Sequence, residues 1–277
     1  ELNEVNIVTR KLGTMKLRSS VMNEDMISSA ELSRAACCNL GESFVTNPSV
    51  DVSYSDAATG AKQIKLLGLS GTYVQMLTEN IPNYRGAASP YGLGYVPGPW
   101  MQSIQVSKGT SSVKNGYEAI TGQINVEFKK PQLPEADWVS ANLFASTTNR
   151  YEANADATLK ISKRWSTSLL AHYENETKAH DGNDDGFVDI PQVEQYNVWN
   201  RWAYMGDHYV FQAGIKALSE TRTSGQANHG GAIHSGDLYK VGIDTERYEF
   251  FPKNAYRFNK EKNTNLALIL STTLQNQ

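Results

Sequence analysis

Cysteine is almost absent: only Cys37 and Cys38 occur in 277 residues. Adjacent cysteines bridge each other only through a strained ring, so no disulfide framework holds this fold. Charge of one sign is missing too, since 26 basic and 29 acidic residues leave a formal charge of −3; no nucleic-acid partner is expected. No stretch of about 18 apolar residues exists, which excludes a membrane-spanning helix but not a barrel whose strands need only every second residue apolar. The opening ELNEVNIVTRKLG has neither the basic start nor the apolar core of a secretory signal, so such a segment is not expected within this stretch. Catalytic spacings are lacking as well. There is no G-x-S-x-G, Walker loop, H-E-x-x-H or C-x-x-C, and the carboxylates are scattered along repeated strand faces, so no enzyme is expected.

Aromatic residues reach 10%, and there are 21 glycines, a composition suited to β-structure with wet faces. The chain changes character at KKPQLPEADW, around Pro131 and Pro134. Before it, short β runs (SVDVSY, KQIKLLGL, YVQML, SIQVSK, GQINVEF) alternate with Gly, Pro and Asn clusters, the pattern of a compact α/β domain. A helix is expected from about Asn23 to Leu40, capped by Asn23 or Ser28 and ended by Gly41. After the break, apolar and polar residues alternate. From Tyr151 to Ser162 one face is Tyr, Ala, Ala, Ala, Leu, Ile and the other is Glu152, Asn154, Asp156, Thr158, Lys160, Ser162. The same period recurs over 208–217 and 248–258.

Connection lengths sharpen the reading. Tight turns near Lys163-Arg164, Met205–Asp207 and Lys260–Asn263 alternate with long stretches at about 177–191 and from Ser219 to Leu238 or beyond. In an up-and-down transmembrane barrel every second connection lies on the same side, short on one side and long on the other. Tyr and Trp near the run ends suit interfacial girdles. About seven strands are expected, near 137–148, 151–162, 165–176, 193–204, 208–219, 246–259 and 264–277. Seven strands do not close a membrane barrel, so the barrel in this chain is expected to be incomplete.

The Gly-rich segment from Gln63 to Pro131 carries a resemblance. QIKLLGLSGTYVQMLTENIP, followed by VSKGTSSVKNGYEAITGQINVEFKKP, resembles the plug domain of TonB-dependent outer-membrane receptors. The matching residues are Ile64, Gly68, Ile81, Pro82, Val106, Lys108, Gly109, Ser112, Gly116, Ala119, Gly122, Ile124, Asn125 and Val126. The resemblance implies a flexible lead over 1–20, an α/β plug over 21–132, and the first antiparallel transmembrane β-barrel strands over 133–277. It further implies an outer-membrane location, a lipid bilayer around the barrel, a periplasmic TonB complex as energising partner, and import of a scarce nutrient. The expected cargo is a metal ion or small metal complex: an iron siderophore, haem, cobalamin or copper. A glycan importer of the same architecture is one alternative, and a soluble calcium-binding β-rich adhesion module is another. Glu4, Val5, Asn6, Ile7 and Val8 look like a TonB box, or else an ordinary terminal strand. Two departures put the usual polar latch between plug and barrel in question. Leu67 stands where many members carry Arg, and Glu79-Asn80 replaces the common Asp-Gly before Ile-Pro.

Several constellations are candidate sites. In Asp181-Gly-Asn183-Asp-Asp185-Gly186-Phe187-Val-Asp189, oxygen donors at positions 1, 3 and 5, Gly at 6, a carbonyl at 7 and a carboxylate at 9 match a Ca²⁺ loop, with Gln192 in place of the closing Glu. The alternative is an acidic surface loop without an ion. Cys37 and Cys38 are candidate soft-metal thiolates or small buried residues. His229 and His234 lie in an expected external loop and could touch haem or a metal chelate. Tyr84, Arg85, Tyr91, Tyr95 and Trp100, in YRGAASPYGLGYVPGPW, are expected in apical plug loops that contact the ligand.

Overall fold

The computed structural model describes residues 15–16, 23–34, 38–45, 47–56, 58–69, 71–110, 115–131, 139–227, 238–259 and 264–277. The expected TonB-box residues Glu4 to Val8, together with Cys37, His229 and His234, lie outside them.

The first part builds an inner body. Strands β1 (Met15–Lys16), β2 (Asn23–Ser28), β5 (Val74–Thr78), β6 (Ile81–Pro82), β7 (Met101–Lys108) and β8 (Gly122–Phe128) form one six-stranded sheet in the order β1-β2-β7-β8-β5-β6. Strands β3 (Val50–Asp56) and β4 (Ala61–Leu66) make a separate hairpin. Helix α1 spans only Ser29–Arg34, so the helix expected from Asn23 is corrected: its first six residues are strand. The neighbour decides this. Each of them pairs with β7, Asp25 meets Lys108 at 2.6 Å, and Ser107 Oγ donates to Glu24 Oε1 at 2.9 Å. β5 and β8 run parallel, as the crossover between them requires.

Gly122 sits where three segments converge. A Cβ there would meet the Ser107 carbonyl oxygen and Leu66 Cδ2, so no larger residue fits without moving a backbone.

The second part is a wall. β9 (Val139–Ala145), β10 (Tyr151–Lys160), β11 (Trp165–Glu176), β12 (Gln192–Met205), β13 (Tyr209–Gly225) and β14 (Lys240–Asn259) form an antiparallel meander in chain order. The last expected strand is two, β15 (Thr264–Ile269) and β16 (Thr272–Asn276), and both pair with β14. The break lies opposite Pro252, which has no N–H to give to the ladder; its carbonyl takes the Leu270 N–H at 3.0 Å instead. β13 runs to Gly225, so the connection expected from Ser219 begins later.

The wall is inside out relative to a water-soluble sandwich. On β12 the buried positions include Gln195, Asn197 and Arg201, while Tyr196, Val198 and Trp202 are exposed. β11 and β13 repeat this, burying His172, Glu174, Lys216 and Glu220 and exposing Leu169 and Ile215. Water would reward the opposite arrangement. The polar face lies against the inner body and the oily face points away from it, as lipid demands. No helix among the described residues is long and apolar enough to cross a membrane.

Candidate functional site

The inner body meets the wall in three tiers, named from the end with tight turns to the end with long connections. At the tight-turn end, β5 and β6 are joined by Glu79 and Asn80, both in the left-handed region (φ 51° and 64°). A type I′ hairpin turn needs positive φ at both positions, and Glu is a poor occupant of one. What it gains is a partner: Arg201 Nη2 donates to Glu79 Oε1 at 2.5 Å, both side chains at most 3% exposed. Lys253 Nζ donates to the Glu79 carbonyl at 2.9 Å, and Arg201 Nη1 to the Lys129 carbonyl at 2.7 Å. Burial pushes the Glu79 carboxyl up, but Arg201 and then Lys253 outweigh it and hold it below its usual range. Glu79, the departure from the common Asp-Gly, is therefore itself the latch between body and wall.

The middle tier is aromatic and basic. Asn83 Nδ2 donates to Glu249 Oε2 at 2.8 Å, and Arg247 pairs with Glu249 at 2.9 Å. Lys216 Nζ and Asn197 Nδ2 both donate to the Tyr95 carbonyl, at 3.0 and 3.1 Å. Tyr84, Tyr95 and Trp100 are buried here, in the core shared with Trp199 and Leu170 of the wall. These three therefore stand in the seam between body and wall, and Tyr84 also borders a second cavity on the inner body. Burial also pushes the Tyr95 phenol up to about 12.

At the long-connection end a cavity of 220 Å³ opens between body and wall. Tyr91 and Gly94 line it from the body, with Glu42 and Lys62; Arg150, Glu176, Gln195 and Arg222 line it from the wall. Pro191, from the 177–191 connection, presses on the β3–β4 turn, where a Cβ on Gly60 would meet Pro191 Cγ at 2.7 Å. Arg150 is the hub, holding Glu42 at 2.8 Å, Glu152 at 2.6 Å and Glu174 at 3.0 Å. Burial raises Glu42, yet Arg150 wins and keeps it below the usual carboxylate range.

Of the expected ligand contacts, Tyr91 lines this cavity, with Arg222 stacked 5.1 Å from its ring centre. Arg85 instead pairs with Glu118 at 2.7 Å beside a separate 470 Å³ cavity on the inner body. Cys38 is buried, and burial, then Glu152 and Glu42, push its thiol well above the ordinary range.

In the 181–189 loop the acidic oxygens cap backbone N–H groups. Asp181 accepts from Asp185 at 3.2 Å and from Gly186 at 2.8 Å, and Asp189 accepts from Gly182 at 2.7 Å. Among the described residues no group of three or more His, Cys, Asp or Glu is placed to hold a metal ion. The latch and the Arg150 hub were missed in the sequence. Their one signal was a charged residue at alternate positions of strands whose other face is Tyr, Val and Trp.

Residues 16–123 match the family model described as TonB-dependent Receptor Plug Domain. Vitamin B12 transporter BtuB of Vibrio vulnificus (strain CMCP6) is 23% identical over 184 residues, 66% of this chain and 30% of that protein. The closed form of the ferric-catecholate import receptor Fiu from E. coli K12 superposes with a TM-score of 0.71 at 17% identity, covering 96% of this chain and 40% of the receptor. The copper transporter OprC gives 0.68 at 13% identity, covering 94% and 38%. At these identities the likeness to solved structures is one of fold, and the chain spans between 30% and 40% of these three proteins.

Proposed function

This chain belongs to the TonB-dependent receptors, and we propose that the protein it forms part of imports a scarce metal-bearing nutrient across the outer membrane. The observation that carries this reading is a folded plug held by buried polar contacts against the polar face of a wall whose other face is oily. A plug so placed obstructs a wide barrel, and cargo passes only when the plug moves. The sequence carries no Walker loop, and in this reading the work is delivered mechanically through the lead segment. Glu4 to Val8 would serve as the strand that the energising TonB protein grips. Vitamin B12, ferric catecholate and copper, the cargoes of the relatives, have a bound metal in common, which favours a metal ion or metal complex over a glycan. The soluble adhesion module fits poorly, because a continuous apolar outer face is an aggregation liability in water.

The test uses a strain lacking the gene, complemented with the full-length receptor and grown under metal limitation. Cellular iron, copper and cobalt are measured by mass spectrometry, with and without functional TonB. One metal is expected to fall severalfold on deletion and to recover only when TonB works. Metal content indifferent to both would overturn the reading.

A cation-ordered 181–189 loop is a second, separate proposal, resting on the spacing of its donors; the Asp181, Asn183 and Asp189 oxygens accept backbone N–H groups of the loop, and calcium would have to displace those bonds. Calcium is expected to protect this loop from protease in the full-length receptor, and Asp185→Asn to abolish that protection. Cleavage unchanged by chelator would refute it.

A further inference from the structure

Resting on the import reading, we infer that the cavity beneath the 177–191 connection takes a cationic, hydrogen-bond-donating face of the cargo, with Glu176 and Gln195 as its acceptors. The charged lining is four carboxylates, Glu42, Glu174, Glu176 and Glu220, against three bases. All three bases are already engaged. Arg150 holds Glu42, Glu152 and Glu174, Arg222 holds Glu220 at 3.0 Å and covers Tyr91, and Lys62 lies over the Tyr54 ring at 5.4 Å. An anionic cargo would find Lys62 as the one lining base held by a ring contact and not by a carboxylate, and would be desolvated against excess carboxylate, a costly arrangement.

Acceptors, by contrast, are in surplus. Glu176 is 8% exposed, and its partner among the described residues is the Thr148 hydroxyl at 3.4 Å, a long contact. Gln195 is fully buried; its Nε2 donates to Glu220 at 2.7 Å and to the Gly94 carbonyl at 3.2 Å, while its Oε1 has no partner among the described residues. A buried acceptor without a donor is destabilising, and an arriving cationic donor relieves both at once. The pairing register sets Glu174 opposite Gln195 and Glu176 opposite Val193. Glu176 and Gln195 are thus diagonal neighbours, with a separation of about 7–8 Å that one compact group can bridge. At 220 Å³ the cavity is smaller than the roughly 300–1,000 Å³ that encloses a whole drug-sized ligand. It therefore receives one compact end of the cargo, such as a metal centre faced by amine or water ligands.

The probe is hexaamminecobalt(III), an inert cation that presents N–H donors on all sides, titrated calorimetrically into the full-length receptor in detergent. Ferric citrate serves as the compact anionic counterpart. The wild type is expected to bind the cobalt complex in preference to ferric citrate. Glu176→Gln should weaken that binding about tenfold, a loss of about 1.4 kcal/mol, and Glu176→Asp should restore most of it. Thr148→Lys, on the half-buried rim, supplies the missing base without emptying a buried site and should abolish binding of the cobalt complex. No binding by the wild type, a Glu176→Gln variant that binds equally well, or a preference for ferric citrate overturns the inference. TonB-dependent metal uptake by the same receptor separates the two readings. If uptake persists while the cavity prefers the anion, only this inference fails; if uptake is indifferent to TonB while the cobalt complex still binds, only the import reading fails.

Discussion

Glu79→Ala in the full-length receptor is expected to loosen the plug from the barrel wall by about 3–5 kcal/mol, the usual penalty for breaking one side of a buried ion pair. The loss is large because Arg201 stays behind, 3% exposed, with its guanidinium deprived of a carboxylate and Lys253 beside it. Hydrogen exchange over β5, β6 and the second half of β8 should accelerate, since the Glu79 N–H is held by the Val126 carbonyl at 2.9 Å and the Asn80 N–H by Asn125 Oδ1 at 2.8 Å. Glu79→Gly separates charge from strain. Glycine relaxes the left-handed turn at φ 51°, so if backbone strain were the main role of this position, the glycine variant would be at least as well protected as the wild type. Loosening in both variants identifies the ion pair as the fastener. Pairing Glu79→Gln with Arg201→Gln should then cost less than the two single changes added together. Exchange as slow in Glu79→Ala as in the wild type would remove the latch from the account.

Trp100→Ala is expected to cost about 3–5 kcal/mol, as large-to-small changes of buried aromatics do. Trp100 is fully buried between plug and wall. Its ring centre lies 6.3 Å from that of Trp199 and 6.4 Å from that of His172, and Lys216 Nζ is 6.0 Å from its face. Trp199 in turn meets Phe128 edge-on at 4.6 Å, so the cavity left by alanine would undercut a stack that crosses the domain boundary. Trp100→Phe should be far milder. The indole N–H has no hydrogen-bond partner among the described residues, so phenylalanine keeps most of the apolar contact and sheds a buried donor that nothing satisfies. Denaturant unfolding in detergent, followed by plug exchange rates, distinguishes the two. Equal losses in both variants would overturn this account of the site.

Much of the architecture was legible in the residues. The alternation around Tyr151–Ser162 assigned faces correctly, since Glu152 and Asn154 are buried against the plug and Asp156 pairs with Lys129 at 2.8 Å. A two-residue period survives folding because strand geometry imposes it locally. The Gly and Ile-Pro series identified the plug for a related reason: Gly122 is demanded by a backbone contact that no side chain can replace. The failures have a different origin. Asn23–Ser28 looked like the opening of a helix because local propensity says nothing of β7, which lies some 80 residues further along the chain and claims those N–H groups. The packing of Tyr84, Tyr95 and Trp100 against wall strands was not legible either, because Gly- and Pro-rich aromatic segments often sit on surfaces.

The sequence by itself determined which faces are wet and which are oily, where the short and long connections fall, and that a Gly-punctuated domain precedes the strands. All of these depend on neighbours within a few positions. Only the tertiary structure decided that Glu79 fastens to Arg201 across 122 residues, that Arg150 gathers three carboxylates, and that Glu176 and Gln195 share a cavity short of donors. A charge in isolation does not name its partner, because electrostatic pairing follows distance in space, and that distance is set by the packing of two separately built sheets.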